Sequence, residues 1–200
     1  GVAGAARRLA TELGCGTHAV VIGPPAGDMA EKLSTLVDGV TVAGNPEFLD
    51  YQPNAYLAAA AEAISGLGAR AVLLANDTYS QEIAARLAYR LKGSSAGDVV
   101  GIGVRDGRVQ ARRSVYGGKA EAVIALHREP AVLWTRARSF DPATAGAPST
   151  VNTISASLDT SGPRITERKS ESSGEARLED AQIIISGGRG LGGPEPFEDL

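Results

Sequence analysis

Cysteine is nearly absent from this chain, which has Cys15 as its single example in 200 residues. The chain can therefore form no internal disulfide bond, and this fits a reducing compartment. A metal site built from several thiolates is excluded within one chain. No cation or histidine stands beside Cys15 in the sequence, so a packing or incidental role is favoured over a reactive one.

Histidine is also scarce, with only His18 and His127. Each stands at the end of a predicted strand, where a structural or solvated role is expected. No order of serine, histidine and aspartate and no spaced pair of carboxylates marks an acid–base or nucleophilic centre. The sequence thus predicts no catalytic residue and no metal ligand, and the acidic residues between 171 and 180 are interpreted as a solvated face.

Long apolar runs are missing too, because no stretch approaches 18 uninterrupted apolar residues. This excludes a membrane-spanning helix. No basic segment followed by an apolar one opens the chain, so no secretory signal is predicted. The formal net charge of −3 argues against broad contact with nucleic acid. An apolar fraction of 43% is still sufficient for a core.

Short apolar strands alternate with amphipathic helices over the first ninety residues. In the first helix, Ala6, Leu9 and Leu13 recur three and four residues apart, and Gly14 ends it. Helices are predicted over 2–13, 28–36, 55–64 and 79–91, and strands over 18–23, 39–43 and 69–75. This alternation predicts an α/β fold with a mostly parallel sheet and helices on both faces.

The pattern changes after Gly93, where strands follow one another with short connections. They are predicted over 99–104, 108–116, 121–126 and 131–138, with one or two more between 150 and 165. Asp106-Gly107 is a hairpin signal, so antiparallel strands are expected at the edge of the sheet. The predicted organisation is an N-terminal α/β domain over 1–140, a linker with connector strands over 141–180, and the start of a second domain over 181–200.

The most informative stretch is the apolar run Ile183-Ile184-Ile185 followed by a glycine-dense turn. Pro194 and the acidic residues after it are interpreted as the first turn of a helix. A strand, a glycine turn and a helix start together favour anion binding, because glycines let the backbone approach a phosphate. Arg189 adds a planar set of donors suited to phosphate or to the edge of a flavin ring.

Two other interpretations of this loop stay open. Gly188, Gly190 and Gly193 satisfy the G-x-G-x-x-G spacing of dinucleotide-binding enzymes, which suggests an enzyme that uses NAD. The acidic residue that usually follows about 20 positions later would lie beyond Leu200. The loop can equally be a simple connection between two elements.

The whole string Ser-Gly-Gly-Arg-Gly-Leu, followed by Gly-Pro-Glu-x-Phe-Glu, resembles the start of the flavin-binding domain in alpha subunits of electron-transfer flavoproteins. Leu73-Leu74, Asp98-Val99-Val100 and Tyr116-Gly117-Gly118 also resemble landmarks of that family, as do the Pro/Ala-rich link near residue 145 and the acidic connector. The resemblance implies an N-terminal domain like those of adenine-nucleotide-binding proteins, and then a second α/β domain that binds FAD.

The resemblance also implies the function and the partners. Arg189 would contact FAD, with Gly188 and Gly190 allowing close approach. The alpha subunit would pair with a beta subunit that carries AMP, take electrons from acyl-CoA dehydrogenases or related flavoenzymes, and pass them to a quinone reductase or another acceptor. The expected location is the bacterial cytoplasm, or the mitochondrial matrix in a eukaryote.

Two departures from the family pattern bear on these expectations. Family members begin with a strand before the first helix, whereas this sequence begins inside that helix, so we expect it to be shortened at the front or its start misassigned. The family's other flavin contacts would follow Leu200. A second functional hypothesis is therefore a non-catalytic docking and assembly module that binds a partner subunit and no cofactor by itself.

Two further positions at predicted strand ends are candidate ligand sites. Gly23-Pro24-Pro25 ends one strand, where α/β folds often bind ligands, but it lacks a series of glycines that could hold a phosphate. Asn76-Asp77-Thr78 ends another, and turn and helix-capping chemistry explains it equally well. Trp134 is interpreted as a packed side chain, and Tyr116-Gly117-Gly118-Lys119 as a turn.

Overall fold

The computed structural model describes residues 1–24, 28–46, 48, 50–156, 165–167, 183–193 and 197. The chain divides into two compact units, Gly1–Arg164 and Ile165–Leu200. The first unit contains all the helices and strands named below. Within the described residues, no helix is both long and apolar enough to span a bilayer.

Among its described residues, the first unit contains four α-helices and eight strands. The helices are α1 (Val2–Leu13), α2 (Asp28–Ser34), α3 (Pro53–Ser65) and α4 (Thr78–Arg90). The strands are β1 (His18–Gly23), β2 (Gly39–Gly44), β3 (Ala71–Leu74), β4 (Ser94–Arg105), β5 (Arg108–Val115), β6 (Ala120–Ala125), β7 (Ala131–Thr135) and β8 (Thr150–Ser155). Helix α1 has the predicted bounds because Gly14 takes the left-handed conformation, with φ of 65°, and ends it.

The strands form two sheets, one in the order β1-β2-β8 and one in the order β3-β7-β4-β5-β6. Pairs β1–β2, β2–β8, β3–β7 and β4–β7 are parallel, whereas β4–β5 and β5–β6 are antiparallel. Asp106 and Gly107 both have positive φ in the β4–β5 turn, as a tight hairpin requires. The predicted α/β class, mostly parallel with antiparallel strands added at one edge, is confirmed.

Helices cover both faces of β7, as the alternation of its side chains shows. Leu133 packs with Leu9 of α1 and Val99 of β4 on one face. Its neighbour Val132 packs with Leu87 of α4 on the other face, in the apolar cluster that α3 and α4 share. Successive side chains of a strand point to opposite faces, so one short apolar strand joins two cores.

Strands β1 and β3 lie at the ends of their sheets, and each pairs with a single strand among the described residues. Val20 of β1 and Val72 of β3 nevertheless pack against the same cluster of α3 and α4 side chains. The two sheets therefore share an apolar helical cover without sharing backbone hydrogen bonds.

Three of the predictions from the sequence concern residues from 150 onward. The strand predicted over 183–185 is not formed, and its three isoleucines are exposed, because no neighbouring strand within the described residues supplies hydrogen bonds to it. Strand β8 falls in the region predicted as a linker with connector strands, and it pairs with β2 in the first unit. The predicted helix start at Pro194 lies outside the described residues.

A partly exposed ion pair between Arg136 and Asp98 stabilises the irregular part of β4. Asp98 has a positive φ of 57°, and the pairing register of β4 with β7 shifts between Ala96 and Val99. Arg136 Nε donates to Asp98 Oδ1 at 2.8 Å, and Nη2 donates to Oδ2. This two-pronged contact lowers the pKa of the Asp98 carboxyl below its usual value, with the nearby positive charges of Arg136 and Arg113 adding to the effect.

The pair predicts a pH dependence of stability. A carboxyl whose pKa is lowered by folding stabilises the native state above its unfolded pKa, and this contribution is lost as pH falls through the folded pKa. We expect Asp98→Asn to be less stable than the unchanged chain at pH 6–7. Its stability should also fall less than that of the unchanged chain between about pH 5 and 3. Thermal unfolding followed at several pH values measures both effects.

A matched control comes from the β4–β5 turn. Asp106 also has a positive φ, of 52°, and asparagine tolerates this region. Its carboxylate is 92% exposed and lies 4.0 Å from Arg105. Such an exposed ion pair contributes little to stability, so removing the charge of Asp106 should have a small effect. Asp106→Asn should keep the pH profile of the unchanged chain, and an equal flattening in both variants would contradict the role given to Asp98.

Candidate functional site

The glycine-rich turn of the second unit folds back on itself. Residues Arg189–Leu191 form one turn of 3₁₀ helix. Leu191 N–H donates to the Gly188 carbonyl at 3.0 Å, and Gly192 N–H donates to the Arg189 carbonyl at 3.3 Å. Gly192 ends the turn with φ of 75°, a conformation that residues with a side chain rarely adopt.

This turn lines a shallow cavity of about 470 Å³. The lining residues are Gly187, Gly188, Arg189, Leu191, Gly192, Gly193 and Phe197. The volume lies within the range of small-molecule sites, which is roughly 300–1,000 Å³. The predicted residues Gly188, Arg189 and Gly190 thus belong to one turn, and the first two of them line a concave surface.

The chemistry of the cavity is mixed. The guanidinium of Arg189 supplies planar donors and a permanent positive charge, whereas Leu191 and Phe197 supply apolar surface. A Cβ atom added at Gly188 or Gly190 would meet nothing within 4 Å, so the backbone at both positions is open to a ligand. These features fit a ligand with a planar ring and an anionic or carbonyl-bearing edge.

The second polar candidate, Asn76-Asp77-Thr78 after β3, is used within the fold. Asp77 caps α4, because its Oδ1 accepts from Ser80 N–H at 2.8 Å and its Oδ2 accepts from the Ser80 hydroxyl at 2.7 Å. The Asn76 side chain accepts from Gln81 at 2.9 Å. Helix capping therefore accounts for this motif, as the sequence allowed.

The remaining singled-out side chains have structural surroundings. His18 Nε2 lies 2.8 Å from the Thr41 hydroxyl on the neighbouring strand, and His127 is exposed. Trp134 packs against the α3 and α4 cluster, as predicted. Cys15 is a free, exposed thiol. Gly23 ends β1 as expected, while Pro25 lies outside the described residues.

The sequence reasoning missed an aromatic cluster at the carboxyl ends of β2 and β3. Tyr51 stacks on Tyr79 with ring centroids 3.9 Å apart, and Tyr56 meets both Tyr51 and Phe48 edge to face. The Tyr51 hydroxyl donates to Glu82 at 3.1 Å. Burial, and then this contact with Glu82, raise the pKa of Tyr51. Phe48 is buried, Tyr51 and Tyr56 are partly buried, and Tyr79 is exposed, so the cluster extends from the core to the surface.

Only a compositional signal could have revealed that cluster. Aromatic residues make up 4% of the chain, and four of its nine aromatic residues lie at 48, 51, 56 and 79.

No group of histidine, cysteine and acidic side chains in the described parts of the chain is arranged to hold a metal ion.

Comparison with known proteins identifies a family whose sequence model matches most of the first unit. A sequence model of the family described as "Electron transfer flavoprotein domain" matches residues 2–159. The matched region contains α1 to α4 and β1 to β8, and it ends before the glycine-rich turn.

The chain is also similar to individual curated proteins. Protein FixB of Escherichia coli strain 55989 is 32% identical over 126 residues, and FixB of Escherichia coli K12 and of strain HS match to the same extent. The aligned residues are 62% of this chain and 40% of each FixB chain. The aligned region therefore spans less than half the length of these curated relatives.

Proposed function

This chain belongs to the electron transfer flavoprotein family, and from that premise we propose that it is an alpha subunit, or the N-terminal part of one. In this proposal the subunit pairs with a beta subunit and carries electrons on FAD. The observation that supports FAD most directly is Arg189, which stands exposed in a glycine turn beside a cavity. AMP, if present, is assigned to the beta subunit.

The proposed role of the protein residues is binding and orientation. FAD, when bound, supplies the ring that accepts and donates electrons. Arg189 would donate hydrogen bonds to the anionic or carbonyl-bearing edge of the cofactor, since its guanidinium presents several N–H donors in one plane. Gly188 and Gly190 would let the backbone approach the cofactor, because neither residue has a Cβ atom and the space where that atom would stand is open.

The proposed donors are acyl-CoA dehydrogenases or related flavoenzymes, and the proposed acceptor is a quinone reductase or a similar protein. These assignments rest on family membership and on the resemblance of the glycine turn. In this proposal, the role of the first unit would be to join the companion subunit.

A second candidate function is a docking and assembly module without its own cofactor. One observation favours it: the family match covers residues 2–159, and the glycine turn lies outside this region. In that case the first unit would bind the companion subunit, and FAD would be held elsewhere in the assembly.

Co-purification tests the two proposals together. The chain is produced with its companion subunit, purified through a tag on one chain, and examined by mass spectrometry and by an absorbance scan. A second polypeptide and flavin absorbance bands are expected. A colourless complex of two polypeptides would favour the docking module, and a colourless chain that binds NAD on titration would contradict both.

A further inference from the structure

Gly187 lies directly beneath two apolar side chains of the second unit, those of Leu191 and Phe197. A Cβ atom built at Gly187 would stand 1.9 Å from Leu191 Cδ1 and 2.7 Å from Phe197 Cζ. Both distances are far below the 3.5–4.0 Å at which carbon atoms normally touch. The Leu191 and Phe197 side chains therefore already occupy the space that a side chain at position 187 would need.

The other described glycines of the loop differ from Gly187. A Cβ atom at Gly188, Gly190 or Gly192 would meet nothing within 4 Å. At Gly192 the positive φ explains the absence of a side chain, whereas at Gly187 no positive φ is involved. Packing under Leu191 and Phe197 thus distinguishes Gly187 from these three glycines, and a side chain at position 187 would displace the ends of those two side chains.

The contact also bears on the direction of the Arg189 side chain. Leu191 and Arg189 belong to the same 3₁₀ turn, in which successive side chains are about 120° apart. A Leu191 side chain held over Gly187 therefore leaves the Arg189 side chain on a different side of the turn, where it is exposed. Two backbone hydrogen bonds close the turn that carries both side chains.

We infer that Leu191 and Phe197 are positioning residues. Their side chains pack over Gly187, a contact that we call the clasp, and thereby hold Arg189 in the orientation that receives the flavin. The inference rests on the proposed function for its ligand, and it adds an apolar clasp to the polar contact already assigned. Without the clasp, the turn could rotate, and the guanidinium would have to be reoriented each time a cofactor binds.

The test compares Gly187→Ala, Leu191→Ala and the double variant in the chain assembled with its companion subunit. Amide hydrogen exchange at Leu191 and Gly192, measured without FAD, reports closure of the turn. We expect each single variant to speed this exchange and to raise the Kd for FAD, both by about tenfold. Because both substitutions break one contact, the double variant should be little worse than either single variant.

Gly66→Ala is the matched control. A Cβ atom at Gly66 meets nothing within 4 Å, and its φ of −76° suits alanine, so neither measurement should change. Unchanged exchange at Leu191 in Gly187→Ala, or effects that multiply in the double variant, would overturn the clasp. Faster exchange with an unchanged Kd would overturn its positioning role.

Failure of the proposed function gives a different result. If the unchanged assembly binds no FAD, the flavin proposal is wrong, and amide exchange together with the rate of trypsin cleavage after Arg189 still decides whether the clasp holds the turn. Equal cleavage rates in the unchanged chain and in Gly187→Ala would then reject it.

Discussion

Replacing Arg189 by alanine is expected to weaken FAD binding by about ten- to a hundredfold in the assembled flavoprotein. The estimate follows from the hydrogen bonds of a charged donor, which contribute on the order of 1.5–3 kcal/mol each, and from the tenfold change in Kd for every 1.4 kcal/mol. The flavin content after dialysis, read from the absorbance bands, measures the effect directly.

Two further variants separate charge from geometry at this position. Arg189→Lys keeps the positive charge but loses the planar set of donors, so intermediate retention of flavin is expected. Arg105→Ala removes another exposed guanidinium, at the end of β4 in the first unit, and should leave flavin content unchanged. Full flavin retention in Arg189→Ala would remove this side chain from the binding site.

Replacing Leu133 by alanine is expected to lower the free energy of unfolding by about 2–5 kcal/mol. Leu133 is fully buried at the centre of β7, where it packs against α1, β4 and β5. Strand β7 pairs with both β3 and β4, so neighbouring backbone cannot easily close the resulting cavity. For a chain of this size the melting temperature should fall by roughly 5–15 °C.

Val123→Ala is the control for this core substitution. Val123 lies on β6, at the end of the sheet, and is 59% exposed. Its loss should cost less than about 1 kcal/mol, because an exposed side chain on an edge strand contributes little packing. Chemical denaturation of both variants compares them, and similar midpoints would contradict the central position given to β7.

Local sequence signals predicted most elements of the first unit. Helix α1 was predicted to the residue, since its apolar repeat and the left-handed Gly14 both act within a few residues. Strand β4 was predicted to begin at 99, whereas it begins at Ser94. Residues 94–98 carry polar side chains and a glycine, and they become a strand only through pairing with β7.

The stretch at 183–185 shows the opposite failure. Three successive isoleucines have a high preference for strands, but a strand needs a neighbour that accepts and donates its hydrogen bonds. In the described residues of the second unit no such neighbour is present, and the isoleucines stay exposed. Preference for a conformation is local, whereas sheet formation is not.

By itself the sequence determined the α/β class, the hairpin at Asp106-Gly107 and the turn that carries Arg189, because periodicity, glycine and proline act on neighbouring residues. Only the tertiary structure decided that Tyr51 would stack on Tyr79, and that Leu191 and Phe197 would close over Gly187. Such contacts depend on how distant or differently oriented residues are brought together in space. Packing of this kind leaves no regular spacing along the chain.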